Sequence, residues 1–212
     1  MRFKHIMYQY FFKRIIDISF SFIALILLSP IFLIVAVTLF ILNKDTPFFF
    51  QKRPGKNEKI FSIIKFKSMS DKKDANGNLL PDDERVTPFG NFIRKYSLDE
   101  IPQLLNILYG DMSLIGPRPL RVQYLPFYTE KEKVRHNIKP GVTGLAQVSG
   151  RNSLNWDTKL ALDIEYVENM SFLLDTKIFL KTIKKVFHAS DIALGENIID
   201  LNEYRTVNKK NV

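Results

Sequence analysis

The polar stretch Ser97-Leu98-Asp99-Glu100 sets two acids side by side, directly after an amphipathic segment that carries Arg94 and Lys95. An aspartate carboxylate can accept a phosphoryl group covalently, and a neighbouring acid can hold a divalent metal or assist proton transfer. Phosphate chemistry also needs fixed cations. Arg118 stands between Pro117 and Pro119, whose restricted backbone lowers the entropic cost of holding a guanidinium ready to clamp a phosphate. Lys65, Arg94 and Arg151 are further phosphate-binding candidates. A purely structural role competes: Ser97 and Glu100 have the spacing of a helix capping box. Pro102 complicates that register, and a helix starting at Asp99 would place its missing donor where little is lost. Either start puts Asp99 near free amides and the positive helix end, where a carboxylate is stabilised and phosphate oxygens can be received.

The composition narrows the classes of chemistry. The 212 residues contain no cysteine, so thiolate catalysis and a disulfide framework are both excluded. His5, His136 and His188 are scattered, and no HExxH, P-loop or GxGxxG occurs. A formal net charge of +9 with 13% aromatic residues suits an anionic membrane leaflet and phosphate-bearing substrates. Nucleic acid is not expected, because no zinc-finger spacing, reading helix or RNP-like aromatic pattern accompanies the charge.

The elements that must position these residues begin with an apolar run. Ile18 to Leu42 holds 25 residues without a charge, enough for about 37 Å of helix against a hydrocarbon thickness of roughly 30 Å. Ser29-Pro30 falls near its midpoint, where proline removes an amide donor, and Ser29 is able to return a hydrogen bond to a freed carbonyl. Two half-helices of about 12 residues would each reach only roughly 18 Å, the dimension of a hairpin dipping into one leaflet. Basic clusters flank the run on both sides: Arg2, Lys4, Lys13 and Arg14 before it, and seven lysines and arginines against two acids over residues 43–67. The positive-inside tendency asks for both clusters on the cytoplasmic side, which a re-entrant segment satisfies. A kinked transmembrane anchor is the alternative, with a cleaved signal peptide or a buried core helix less consistent with the run's length.

Beyond the run, residues 47–51 and 60–66 predict a β-hairpin turning near Pro54-Gly55. Residues 70–87 read as a solvated excursion, and Phe89 to Leu108 as two amphipathic segments meeting at Ser97 to Pro102. VTGLAQV, within residues 139–151, is a strand candidate. A helix runs from Asn155-Trp156-Asp157 to about Glu168. The segment from about Leu173 to His188 repeats Lys177, Lys181, Lys184 and His188 opposite a wide apolar face, the pattern of an interfacial helix or of ordinary packing. The tail from Gly195 reads as peripheral.

Taken in order, KRxxD (Lys13, Arg14, Asp17), LLSPxxL (27–33), QKRPG (51–55), IIKFKSM (63–69), SLDExPQLLNIxxGDMSxxGPRP (97–119) and KPGVTGLAQVSGR (139–151) resemble the bacterial polyprenyl-phosphate sugar-1-phosphate transferases. The likeness covers nearly the whole chain and is nearest to the short, monotopic, PglC-like members. It implies transfer of a sugar 1-phosphate from a UDP-sugar to undecaprenyl phosphate with release of UMP. The position matching Asp99 is the nucleophile of a two-step route, and Glu100 matches the second member of the acidic pair. Mg²⁺ is the implied cofactor, with Asp99 and Glu100 as its ligands. The resemblance implies an α+β fold: a mostly helical cytosolic domain with a β-hairpin, anchored by a re-entrant helix broken at Ser29-Pro30 and by amphipathic interfacial helices. The corresponding division is 1–43 membrane segment, 44–190 catalytic domain and 191–212 peripheral tail. It places the protein on the cytoplasmic face of the bacterial inner membrane, working with downstream glycosyltransferases, and leans toward an N-acetylated amino sugar as donor. At position 145 this chain has Leu where relatives frequently have Trp. The competing function is a catalytically inactive membrane-bound interaction module.

Overall fold

The computed structural model of the chain describes residues 8–150, 154–188 and 199–209. Helix α1, Lys13–Asn43, is long and apolar enough to cross a bilayer. It does not leave the domain, however. Arg14 at its start donates to the carbonyls of Ile107 and Leu108 at 2.6 and 3.0 Å, and Asn43 at its end donates to the Lys67 carbonyl at 3.3 Å. Lys13, Asp17, Ser21, Val35 and Leu39 form the buried stripe, while Ile23, Leu27, Leu33, Ile34 and Ile41 stand exposed opposite. The helix therefore offers one face to the domain along its length and an apolar face to lipid, with both ends on one side of the membrane.

The expected interruption at Ser29-Pro30 is corrected by the structure: α1 continues through it as one helix. Proline at position 30 deprives the carbonyl of Ile26 of its usual partner four residues on. Ser29 Oγ donates to that carbonyl at 2.7 Å, so the lost hydrogen bond is replaced from the preceding residue.

The three motif residues at the start of α1 are its docking points. Lys13 Nζ lies 2.5 Å from Asp175, whose carboxylate also accepts from the hydroxyls of Tyr8 and Tyr166. Arg14 satisfies carbonyls at the end of the 103–109 helix, and Asp17 accepts from Ser113 Oγ and the Leu114 amide at 3.1 and 3.0 Å.

Strands β1 (Phe48–Pro54) and β2 (Ile60–Phe66) form the antiparallel hairpin, in register from Phe48 opposite Phe66 to Pro54 opposite Ile60. Phe48 stacks on Phe66 within the core, whereas Phe49 and Phe50 point outward, so the aromatic triplet divides between packing and surface. Helices α2 (Pro88–Lys95) and α3 (Gln103–Tyr109) are the two expected amphipathic segments. Thr87 caps α2 by accepting from the Gly90 amide. The fully buried Asn106 of α3 continues the ladder of β2, accepting from the Ile64 amide at 2.9 Å and donating to the Ser62 carbonyl at 2.8 Å.

Of VTGLAQV only Val142 and Thr143 are strand, as the end of β4 (Gly141–Thr143), paired in parallel with β3, Ser113–Ile115. Residues Leu145–Ser149 turn helical as α4. The division falls at Gly144, where a side-chain carbon would come within 2.1 Å of the Gly116 carbonyl; a Cβ on Gly141 would meet the Gly116 amide equally closely. Glycine lets the two backbones cross in contact.

Helices α5 (Trp156–Asn169) and α6 (Phe172–His188) follow the sequence expectation, with Asn155 capping α5. On α6, Ile178 is buried while Phe172, Leu173 and Leu180 are exposed beside Lys177, Lys181 and Lys184, and Phe179 meets Phe20 of α1 edge-on. Such a face, shared with α1, belongs at the membrane interface. The C-terminal helix α7, Leu201–Lys209, is not peripheral. Leu201 is fully buried among Tyr124, Tyr128, Trp156 and Leu160, and Arg205 bridges Asp157 and Glu132.

Candidate active site

Pro102 decides the shape of the acidic stretch. It has no amide to offer the Leu98 carbonyl, which takes the Ile101 amide at 3.2 Å instead and closes a 3₁₀ turn, Leu98–Glu100. Ser97 enters this turn in the left-handed region (φ 55°) and makes no side-chain cap. Both sequence-based helix starts, at Ser97 and at Asp99, are thereby corrected: α3 begins only at Gln103. The tight turn aims both acids into one cleft of about 680 Å³.

Lys65 reaches the pair from β2. Its Nζ lies 2.7 Å from Glu100 Oε1 and 3.9 Å from Asp99 Oδ2. Asn106 makes this geometry possible, because its two bonds to β2 fix α3, and hence the turn before it, against the residue next to Lys65. Arg118 joins at the same oxygen, with Nη2 3.3 Å from Glu100 Oε1. The two residues before it are held to β4: the Gly116 amide donates to the Thr143 carbonyl, and the Pro117 carbonyl accepts from the Gly141 amide. Arg94, in the last turn of α2, lines the same cleft. Arg151 lies outside the described residues.

The Asp99 carboxyl is raised to about 6, first by burial and next by the charge of Glu100, with Lys65, Arg94 and Arg118 partly offsetting the rise. A carboxylate so placed is destabilised as an anion yet surrounded by cations that favour an approaching phosphate. Phosphate needs no metal to explain these cations, but the donor set also suits a hard divalent ion. Asp99 and Glu100 supply oxygen ligands of the kind Mg²⁺ takes, one or two carboxylates completed by substrate phosphates. Among the described residues, no cluster of three or more histidine and acidic side chains is gathered.

Several cleft residues escaped the sequence reading: Arg53, Arg121, Lys159, Arg135 with its partner Asp163, and Asp200. Arg53 lies in the quoted QKRPG and Arg121 shortly after GPRP, so neighbourhood to a motif was their one available signal. Asp163 and Asp200 carried none. Leu145, where the resemblance leads one to expect Trp, is partly buried and packs against the cluster around Ile115 and Tyr166.

A family model described as bacterial sugar transferase matches residues 8–189. The chain is 48% identical over 181 residues to an uncharacterized sugar transferase, EpsL, of Bacillus subtilis, covering 85% of this chain and 89% of that protein. It is 38% identical to the exopolysaccharide production protein ExoY of Sinorhizobium fredii, covering 82% and 84% respectively. It is also 40% identical to the undecaprenyl-phosphate galactose phosphotransferase of Salmonella typhimurium, covering 83% of this chain but 40% of that longer protein. Together with the apolar helix whose two ends dock on one domain, these likenesses place the protein on the cytoplasmic face of the inner membrane as a monotopic protein. The chain belongs to the bacterial sugar transferase family.

Proposed function

We propose that the protein transfers a sugar 1-phosphate from a UDP-sugar to undecaprenyl phosphate, releasing UMP, through a covalent phosphosugar on Asp99. The observation that carries this reading is the convergence of Lys65, Arg94 and Arg118 on the buried Asp99 and its partly buried neighbour Glu100, in a cleft beside a membrane-docked helix.

In the first step an Asp99 oxygen attacks the phosphorus that bears the sugar. The bond from that phosphorus to the UMP oxygen breaks, and UMP leaves with the electron pair. In the second step an oxygen of the prenyl phosphate attacks the same phosphorus, the bond to Asp99 breaks, and the carboxylate is regained. Splitting the transfer lets the soluble donor's UMP depart before the lipid phosphate enters, so two bulky substrates need not share the cleft. Lys65 and Arg118 hold Glu100 and leave their positive charge beside the transferring phosphoryl oxygens. Burial raises the energy of the Asp99 anion, part of which is relieved when its charge is lost to the new bond. Mg²⁺, held by Asp99 and Glu100 together with the donor's phosphates, would neutralise diphosphate charge and favour departure of UMP.

The donor sugar is a separate matter. The resemblance to PglC-like members leans toward an N-acetylated amino sugar, while the Salmonella typhimurium relative is named for galactose. A panel of UDP-sugars, scored by UMP release that depends on undecaprenyl phosphate and Mg²⁺, tests both the reaction and the lean. Release from none of the panel would instead favour a catalytically inactive interaction module.

A further inference from the structure

The last described segment of the chain reaches the cleft from beyond the residues matched by the family model, which end at 189. Its Asp200 lines the cleft that holds Asp99. The Asp200 carboxylate accepts from Arg121 Nη1 at 2.9 Å, from Gln123 Nε2 at 3.2 Å and from the Tyr124 hydroxyl at 2.6 Å. The segment is anchored on both sides of this carboxylate. Ile199 accepts from Trp156 Nε1 at 2.8 Å, and Leu201 is fully buried. Asp200 is thus a fixed group that holds Arg121, whose side chain is otherwise half exposed.

Two sets stand out among the cations of the cleft. Lys65, Arg94 and Arg118 act on the Asp99 carboxylate. Arg121 belongs to a second set with Arg53, which lines the same cleft and whose guanidinium is lowered to about 10, by burial first and then by the charges of Arg118 and Arg121. Mutual repulsion of this kind marks a place where an anion is wanted, and Arg118 is common to both sets. A monophosphate acceptor attacking at Asp99 needs the first set alone. A diphosphate donor has a second phosphate, the one that departs with UMP, and needs both.

We infer that residues 199–209 complete the donor subsite, with Asp200 as a positioning residue that sets Arg121 for the departing phosphate of the nucleoside diphosphate. This rests on the proposed reaction for the identity of the donor, but its first test does not depend on turnover. UDP binding to the full-length protein in detergent micelles is measured by calorimetry for the native chain, Asp200→Ala, Asp200→Asn, Arg121→Gln and the Arg121→Gln/Asp200→Ala double variant. Asp200→Ala is expected to weaken UDP about tenfold, the scale of loss when a positioned group is released. Asp200→Asn should fall between Ala and native, and the double variant should be no worse than Arg121→Gln, because the two residues act as one unit.

The half-reactions supply the second test. Formation of the Asp99 adduct at limiting donor should slow in the Asp200 variants, while chase of a preformed adduct into lipid proceeds at the native rate. Unchanged UDP affinity in the folded Asp200→Ala protein would overturn the inference, as would equal slowing of adduct formation and chase. Asp200-dependent UDP binding in a protein that releases UMP from no donor would refute the proposed reaction and leave the nucleotide subsite standing.

Discussion

Arg135 donates from Nη2 to the backbone carbonyl of Arg118 at 2.6 Å, so a buried guanidinium holds the loop that presents an exposed one. Arg135 is itself fixed by Asp163, through bonds of 3.1 and 2.9 Å from Nε and Nη2, and approaches the Tyr128 hydroxyl at 3.4 Å. Removing one member of a buried ion pair leaves the other uncompensated, at a cost of about 3–5 kcal/mol. Asp163→Ala should therefore lower the thermal unfolding temperature in micelles far more than Arg118→Ala, whose side chain is half exposed and touches Glu100 only at its edge. Equal melting of the two variants would contradict the bracing role.

The raised Asp99 carboxyl predicts a pH dependence for the first half-reaction. Only the carboxylate attacks phosphorus, so the single-turnover rate of UMP release should climb about tenfold per unit as pH rises toward about 6, and flatten above it. Lys65 is the leading cation opposing the rise, and Lys65→Met should move the midpoint to higher pH. A rate independent of pH from about 5 to about 8 would contradict a raised Asp99 carboxyl in the reacting complex.

The same shift has a consequence for stability. A folded carboxyl raised above its ordinary value of 3.8 supports the fold fully below that value, and the support is lost as pH rises through about 6. At neutral pH the Asp99 anion therefore works against folding, by an amount on the order of 1–3 kcal/mol. Asp99→Asn should melt higher than the native protein at pH above about 7, with the advantage disappearing below about pH 4. A lower melting point at neutral pH would mean that the carboxylate is a structural cap after all.

Much of this architecture is legible in the residues. The hairpin, the paired helices around Ser97 to Pro102, the Asn155 cap and the amphipathic α6 all follow from local pattern and turn chemistry, because each depends on neighbours in sequence. The acidic pair and Arg118 were visible for the same reason. What was misread depends on partners far along the chain or on one orphaned carbonyl. Pro102 prevents an α-turn at Ser97, and Ser29 repairs the helix that Pro30 was expected to break. Asp200 lies 79 residues from Arg121, and no local pattern announces that they meet.

Docking of both ends of α1 on one domain predicts that both flanks are cytoplasmic. Single cysteines at Lys4 and Lys56 should resist a membrane-impermeant thiol reagent in intact cells and react after permeabilisation, with no native cysteine to interfere. Ser29→Ala removes the repair of the Ile26 carbonyl and should cost about 1 kcal/mol, measured as a lower melting temperature. Labelling at position 4 from outside the cell would rule out the monotopic arrangement.

The central claim is that Asp99 carries the sugar phosphate. The protein is incubated with a labelled UDP-sugar and Mg²⁺ in the absence of lipid acceptor, quenched in acid, and digested for peptide mass analysis. One sugar-phosphate mass is expected on the peptide containing Asp99; undecaprenyl phosphate should chase it into lipid, and Glu100→Gln should form it at least about 100-fold more slowly. Asp99→Asn should remain folded and membrane-bound while forming neither adduct nor product. A fully active Asp99→Asn protein, or an adduct reproducibly located on another residue, would contradict the account.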